Sequence, residues 1–324
     1  MNFRFPTNLA LLITLLVAIA IQPSVPVKAQ GGLSEEQLGL LDRMITAVTK
    51  VDDFTSYTDT ESQELSLNGS IAIAGFTQEI LQTQSMEKTT AYIFGDNPNA
   101  LVIATYSESS KQQDGSTIGY TLDAEVRYVD GVLYAKGEVT DGEDPGISQS
   151  GAWVEVDIPT YAENLVISNL GLEQTLERLG AIERDETDDN PLRDIELLKK
   201  VATDVTAEEV TLEDGSTATA ITVSIDFAAL VAERPAALGA EDNPSSAALF
   251  SAFAGQSIVA TVLISSDEMP ISYGLNFEGS IVDLDASILS EQLTGATISL
   301  NLTLNQSAEL SQVNEAIEPV AAPE

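Results

Sequence analysis

Acidic residues dominate the side chains of this sequence that could do chemistry. The 324 residues include 51 Asp and Glu, no His and no Cys. The chain therefore offers no thiol for nucleophilic catalysis or a thiolate metal site, and it lacks the commonest general base. Paired carboxylates can hydrolyse glycosidic bonds, but among so many acids such pairs arise by chance. The composition favours a non-enzyme with no catalytic residues and no cofactor, and a carboxylate-based hydrolase is the weakest alternative.

Two acidic runs are the candidates for a metal site. They are Asp-Gly-Glu-Asp at 141–144 and Asp-Glu-Thr-Asp-Asp at 185–189. Oxygen ligands in loops suit Ca²⁺, but neither run has the Gly at the sixth position and the Glu at the twelfth that an EF-hand loop needs. We interpret both runs as solvated loops and predict no metal site.

Apolar side chains on alternating segments are the candidates for a ligand site. Apolar and polar residues alternate around 64–68, 221–227, 272–281 and 298–305, which indicates antiparallel strands with one covered face and one face in water. The covered face can be a packed core or can line a cavity, because the two have the same alternation. For a cavity, the predicted apolar lining is Tyr134, Val154, Val156, Ile221, Val223, Ile225, Tyr273, Leu275 and Phe277.

Local signals predict the elements that must position these side chains. Ser34 to Gln37 forms a capping box for a helix over about 35–50, with a stripe at Leu38, Leu41, Ile45 and Val48. Asp-Gly pairs at 114–115, 130–131 and 214–215 predict hairpins between strands. Further helical stripes fall at 172–179 and 192–202, and an Ala-rich segment near 228–257 reads as a helical insertion.

The order helix, strands, helices, strands predicts an α+β fold in which helices lie over one face of a curved antiparallel sheet. We expect a single domain over 30–306 and an acidic tail containing Ala and Pro over 307–324. The absence of Cys means that disulfides do not stabilise this domain, and its length allows a substantial core without them.

The first 29 residues have the features of an export signal. Arg4 precedes an apolar run from Leu9 to Ile21, and Val27-Lys28-Ala29 places small or short residues at a cleavage site before Gln30. The run is short for a membrane span. We therefore predict a cleaved signal and an extracytoplasmic protein, periplasmic or secreted, with a retained anchor as the alternative.

The net charge of the chain restricts the classes of partner that it can bind. The net charge is −37, and removal of 1–29 with Arg4 and Lys28 brings it to −39. The basic residues are scattered, so we expect no binding to nucleic acid or to an anionic membrane surface.

Several segments together resemble a known superfamily. They are Val51-Asp52-Asp53-Phe54-Thr55-Ser56-Tyr57 after the first helix, then 126–134, then Gly151-Ala152-Trp153-Val154-Glu155-Val156, and 264–270 leading into an alternating strand. In their order across about 35–318 they resemble the lipoprotein-carrier superfamily of LolA-like and LppX-like proteins. The resemblance implies an open half-barrel whose concave face is apolar and covered by helices, and a role in binding acyl chains or other lipids or in envelope sensing. Many relatives carry an N-terminal Cys, which this chain lacks.

Two functional hypotheses follow. The first is an exported soluble protein, a monomer, that carries or senses an apolar small molecule or lipid in a half-barrel cavity, with an envelope protein as a possible partner. The second is a non-enzymatic, acidic surface or matrix protein with a filled core.

The exported protein should begin at Gln30, because the small residues at 27 and 29 fit the signal peptidase site. N-terminal sequencing of the protein recovered from outside the cytoplasm checks this. A first residue of Met1 would instead establish the retained anchor.

Overall fold

A single antiparallel sheet is the framework of the molecule. The computed structural model describes residues 32–73, 75–112, 114–144, 146, 151–182, 195–233, 252–288 and 294–323. In these ranges eleven strands pair in the order β6-β5-β4-β3-β2-β1-β11-β10-β9-β8-β7. Each neighbouring pair is antiparallel. The predicted antiparallel sheet is confirmed.

The strands fall into two groups along the chain. The first group comprises β1 Ser56–Ile73, β2 Phe76–Ile93, β3 Asn99–Lys111, β4 Thr117–Val129, β5 Val132–Gly142 and β6 Val154–Val156. The second comprises β7 Ala202–Thr211, β8 Thr217–Asp226, β9 Ser257–Ser265, β10 Pro270–Asp285 and β11 Ala296–Ser311. All three predicted Asp-Gly pairs lie in the connections β3–β4, β4–β5 and β7–β8.

Five α-helices accompany the sheet in the described residues: α1 Glu35–Thr49, α2 Leu165–Leu170, α3 Glu173–Arg178, α4 Ile195–Val201 and α5 Phe227–Glu233. The capping box of α1 forms as predicted, because Gln37 N donates to Ser34 Oγ at 3.2 Å and Ser34 N donates to Gln37 Oε1 at 2.9 Å. None of the helices in the described ranges combines the length and the hydropathy needed to cross a membrane.

The buried side of α1 differs from the predicted stripe by part of a turn. Leu41, Met44, Ala47 and Val48 are buried, whereas Leu38 and Ile45 are only half-buried. Successive helical positions advance by about 100°, so a stripe read from the largest apolar residues can miss the true centre of the contact. In α1 the centre of the buried face lies at Met44.

Helices and sheet form two apolar clusters on one side of the sheet, which we call the helix-facing side. In the first cluster α1, α4 and α5 pack against β7 to β11 and against Leu65 and Leu67 of β1. In the second, α2 and α3 pack against β2 to β5 and against Tyr57 of β1. Half-buried Tyr273 packs against both clusters.

The C-terminal segment follows the sheet past the predicted domain end at 306. β11 continues to Ser311. Beyond it, Asn314 N donates to Ser56 O at 2.8 Å, and Val320 N donates to Asn99 Oδ1 at 3.1 Å. The segment from 312 is therefore bonded to the ends of β1 and β3, and only its composition matches the predicted tail.

Three predicted features lie wholly or partly outside the described residues. They are the signal over 1–29, the acidic run at 185–189 and most of the insertion near 228–257. Of the insertion, the described parts are the rest of α5 to Glu233 and a turn from 252 that leads into β9.

Gly69 in β1 should tolerate substitution poorly. A methyl group there would collide with the carbonyl oxygen of Ser299 on β11. We expect Gly69→Ala to lower the free energy of unfolding by about 1–3 kcal/mol, as overpacking does, measured by urea denaturation. Gly274→Ala in β10 is the matched control, because the nearest atom to its methyl group would be Gln306 O at 3.9 Å. Equal effects of the two substitutions would contradict this account.

Candidate functional site

Between the two apolar clusters the helix-facing side carries a row of side chains that is only partly covered. Directly opposed residues on four strands form this row, which we call the central strip: Leu275 of β10, Gln306 of β11, Gln63 of β1 and Met86 of β2. Gln306 is exposed and the other three are half-buried. Opposed residues in antiparallel strands share a face and lie in contact, so the strip is a continuous amphipathic surface with apolar ends.

A charged pair lies in the next row across the same strands. Glu61 of β1 is directly opposite Lys88 of β2, and Lys88 Nζ lies 2.9 Å from Glu61 Oε2. The Lys88 side chain is 6% exposed and that of Glu61 is 18% exposed. The alternation of β1 determines this placement, because residues 57, 59, 61, 63, 65 and 67 all point to the helix-facing side.

Asp59 follows in the row after that, opposite Thr90. Asp59 is 5% exposed and Thr90 is fully buried. In the described structure Asp59 Oδ1 and Thr90 Oγ1 have no hydrogen-bond partner. An unsatisfied buried polar group is costly and calls for an explanation.

The pKa values of Asp59 and Glu61, the two acids on the helix-facing side of β1, are shifted in opposite directions. Burial raises the pKa of Asp59 to about 7, and the charge of Glu61 and a hydrogen bond with it add to that rise. Burial also acts to raise the pKa of Glu61, but the charge and hydrogen bond of Lys88 outweigh it and the pKa of Glu61 is lowered. Close to neutral pH, Glu61 is therefore the ionised member and Asp59 is partly protonated.

A cation from the helices of the second cluster interacts with Asp59 and Glu61. Arg178, at the end of α3, donates from Nη1 to the hydroxyl of Tyr57, and it interacts electrostatically with Asp59, Tyr92 and Tyr273. Tyr92 is in turn within 3.1 Å of the Thr175 hydroxyl one helical turn earlier, and burial raises its pKa to about 12. We call Asp59, Glu61, Lys88, Thr90 and Arg178 the polar cluster.

Arg178 is the accessible member of the polar cluster. It is exposed, in contrast to the buried Asp59, Lys88 and Thr90. In the described part of the chain no carboxylate forms an ion pair with it. Since a guanidinium has five donors and one is used for Tyr57, Arg178 retains hydrogen-bonding capacity, although burial around Tyr57 and Tyr92 acts on its charge.

The opposite face of the sheet contains a groove with a volume of about 590 Å³. It is lined mostly by hydroxyl groups of β1 to β4 and β11, with Glu64, Asp141 and Asn305. These hydroxyls bond to one another, since Thr83 Oγ1 and Ser109 Oγ are 2.8 Å apart and Ser107 Oγ and Thr121 Oγ1 are 3.0 Å apart. The groove is a solvated polar surface whose bonding is largely internal.

The nine side chains predicted to line a cavity fall into three environments. Those on β8 and β10 come together, with Ile221, Val223, Ile225 and Phe277 buried in the first cluster and Tyr273 and Leu275 half-buried beside it. Val156 is buried in the second cluster, and Val154 on the edge strand is 38% exposed. Tyr134 points to the opposite face, because its neighbours Leu133 and Ala135 occupy the helix-facing side. As ligand contacts these residues stay a prediction.

The opposite face also holds Trp153. Its ring lies under the Arg127 guanidinium at 4.6 Å and within 6.0 Å of Lys136 Nζ. These cation–π contacts stabilise the only Trp of the chain in its position at the sheet surface.

The acidic run at 141–144 is only partly a loop. Asp141 and Gly142 end β5, where Asp141 is opposite Thr121. Asp144 Oδ1 accepts from Gly146 N at 2.8 Å. No group of three or more carboxylates arranged for a metal ion occurs in the described ranges.

Sequence reasoning missed the polar cluster. A signal was present in β1, where Tyr57, Asp59, Glu61 and Gln63 continue the same alternating face as Leu65 and Leu67. Polar residues on a face that is elsewhere apolar indicate a buried polar site. Arg178 had no comparable signal, because α3 has only six residues.

Comparisons with known proteins give no family assignment. No family model matches the chain, and no curated protein matches it in sequence. Among solved structures, a DUF1329 family protein from Desulfovibrio piger aligns at 9% identity and a TM-score of 0.20, covering 88% of this chain and 94% of that one. A putative outer membrane lipoprotein-sorting protein domain from Vibrio parahaemolyticus aligns at 9% identity and 0.19, with the same coverages.

A third solved structure is a beta-barrel-like protein of the domain of unknown function DUF1849 from Brucella abortus. It aligns at 8% identity and a TM-score of 0.17, covering 78% of this chain and 97% of that one. TM-scores this low do not establish a common fold.

Asp59→Asn should make the protein more stable at pH 8 and should lose that advantage toward pH 5. The folded state keeps a proton on Asp59 up to about pH 7, whereas an unfolded chain releases it near pH 4, so wild-type stability falls as pH rises through this interval. We expect the gain at pH 8 to exceed about 1 kcal/mol, measured by urea denaturation at several pH values. The control is Asp267→Asn, which removes an exposed carboxylate. A pH-independent effect of Asp59→Asn would refute the assignment.

Proposed function

We propose that this protein is an exported binding protein that carries or senses an apolar ligand on the central strip. The observation that carries the proposal is the incomplete covering of one side of the sheet. Two sets of helices bury the two apolar clusters there, and Leu275, Gln63 and Met86 between them remain half-buried. In this proposal the sheet curves as an open half-barrel, and the helices and the strip are on its concave face.

The chemistry of the strip suits a hydrocarbon chain. Leu275 packs against the first cluster and Met86 against the second, while Tyr273 beside them contacts both. A chain lying along this line would remove apolar surface from water at roughly 25 cal/mol per Å², or about 0.8 kcal/mol for each buried methylene. Met adapts to ligands of different shape because its side chain is unbranched and flexible.

The remaining features fit an extracytoplasmic carrier. The apolar run at 9–21 supplies an export signal, and a chain without Cys is indifferent to an oxidising compartment. The absence of His and Cys supports binding rather than catalysis. We propose that the protein acts as a monomer, and that an envelope protein delivers or receives the ligand.

A filled-core surface protein is the second candidate, and one observation favours it. Ile221 and Val223, which were predicted to line a cavity, have no exposed surface. They are packed among their neighbours in the first cluster. The two candidates differ at the central strip, since only the carrier needs it to receive a ligand.

Leu275→Asp should abolish or strongly weaken binding of a fluorescent fatty acid, by at least about tenfold, because a carboxylate there must lose water when a hydrocarbon chain covers it. Fluorescence titration of the purified protein, alongside mass spectrometry of co-purified lipid, measures this.

Val259→Asp is the matched control. Val259 is also half-buried, but it lies next to buried Ile258 and Ala260 and therefore points to the opposite face. It should reduce stability comparably and leave binding intact. If wild-type protein binds no fatty acid and carries no lipid, the filled-core candidate stands in place of the carrier.

A further inference from the structure

The polar cluster concentrates the buried charge of the molecule at one place. In the described residues Asp59 is the one buried acid and Lys88 the one buried base, although the whole chain has 51 acidic and 14 basic residues. Charged side chains are almost never buried unless they are paired. Their burial together in the rows beside the central strip therefore marks a specific polar environment.

The pairing within the cluster leaves one cation unneutralised. Lys88 is paired with Glu61 at 2.9 Å. Asp59 could neutralise Arg178, but its burial keeps it partly protonated near pH 7. Arg178 therefore keeps a positive charge and, beyond the bond to Tyr57, further N–H donors in a protein whose net charge is strongly negative.

The position of Arg178 relates it to the strip. Its electrostatic neighbours include Tyr273, which packs against both apolar clusters. Tyr273 is two residues from Leu275 on the same face of β10 and is opposite Ala308, which is opposite Glu61. A ligand on the strip would thus lie one row of the sheet from Tyr273, an electrostatic neighbour of the guanidinium, so its headgroup could turn toward Arg178.

We propose that Arg178 binds the anionic headgroup of an amphipathic ligand, a carboxylate or a phosphate, whose hydrocarbon chain lies on the central strip. This inference rests on the proposed carrier function and specifies the ligand class. Planar guanidinium groups suit both anions, because they donate two parallel hydrogen bonds. The unpartnered Asp59 Oδ1 and Thr90 Oγ1 belong to the same polar cluster as Arg178.

The proposal also gives the binding a direction in pH. The charged and titratable groups that face Asp59 are Glu61, Lys88, Arg178, Tyr57 and Tyr92. Of these groups Asp59 is the one that changes charge between pH 6 and 8, since Glu61 is already ionised and the two tyrosines are shifted upward. Ionised Asp59 competes with the ligand for Arg178, so affinity for an anion should fall as pH rises through about 7.

The test compares hexadecanoate with uncharged hexadecanol by calorimetric titration of the purified protein. Wild type should bind hexadecanoate more tightly, and Arg178→Gln should weaken hexadecanoate binding roughly tenfold or more while leaving hexadecanol unchanged. Arg178→Lys should recover part of the difference. The matched control is Arg43→Gln, because Arg43 is paired with Glu268 at 2.9 Å, remote from the polar cluster.

Two further measurements sharpen the outcome. Affinity for hexadecanoate should fall several-fold from pH 6 to pH 8 in wild type, and Asp59→Asn should remove this dependence. Acetate at the same concentration should not displace hexadecanoate, and displacement would mean a site for free anions rather than for an amphiphile.

The two proposals fail in distinguishable ways. If hexadecanol and hexadecanoate bind equally and Arg178→Gln changes neither, the headgroup assignment is overturned and the carrier function stands. If neither ligand binds wild type, both are overturned. Thermal melts of each variant establish that any loss of binding is not a loss of folding.

Discussion

The pairing of β1 with β11 is the contact on which the rest of the structure depends. It joins residues 58–73 to 296–311 in an unbroken antiparallel register across more than 220 positions of sequence. Without it the first six strands and the last five would be separate sheets, each with a long unpaired edge that invites aggregation. Apolar partners on the helix-facing side, Leu65 with Leu304 and Leu67 with Leu302, fix the register, because a slip of one residue would turn both rows toward water.

This seam explains why the polar cluster can exist at all. The two apolar clusters belong to different parts of the sheet and meet only where β1, β2, β10 and β11 lie side by side. Neither helical layer completely covers that meeting line, so polar side chains there remain near solvent on one side while being buried on the other. Keeping Asp59 buried without a full set of partners lowers stability. Stability alone therefore does not explain the cluster, which is consistent with a role in recognition.

The sequence predicted those features that are set by local rules. The capping box at Ser34, the three Asp-Gly connections and the alternating strands all follow from interactions within a few residues, and all are present. Period-two alternation also predicted correctly that Ile221, Val223 and Ile225 share a covered face. Tyr134 was assigned to the wrong side of β5, because in Val-Leu-Tyr-Ala the apolar residues are continuous and the phase is ambiguous.

Features that depend on distant pairing could not be predicted in the same way. Alternation gives the face of a strand but not the identity of a distant neighbour, so nothing local indicated that β1 would pair with β11, whereas Glu61 and Lys88 are opposed within the hairpin of the consecutive strands β1 and β2. The position of Arg178 near Asp59 was harder still to predict, because it depends on how a six-residue helix packs against the second cluster. The candidate site is thus a product of the tertiary arrangement, although each of its side chains is visible in the sequence.

The two faces of the sheet differ in how their polar groups are satisfied, and this difference is the reason for placing the proposed ligand on the helix-facing side. On the opposite face, four of the hydroxyls that line the groove bond to each other in two cross-strand pairs, Thr83 with Ser109 and Ser107 with Thr121, so a ligand would have to replace bonds already made there. On the helix-facing side, Asp59 and Thr90 each retain an unpartnered oxygen, and Arg178 retains free donors. A ligand whose headgroup reached Arg178 would add hydrogen bonds to its remaining donors, and its hydrocarbon chain would cover apolar surface. The groove on the opposite face is therefore not the proposed site, because the free energy of binding depends on the groups left unsatisfied as well as on the volume available.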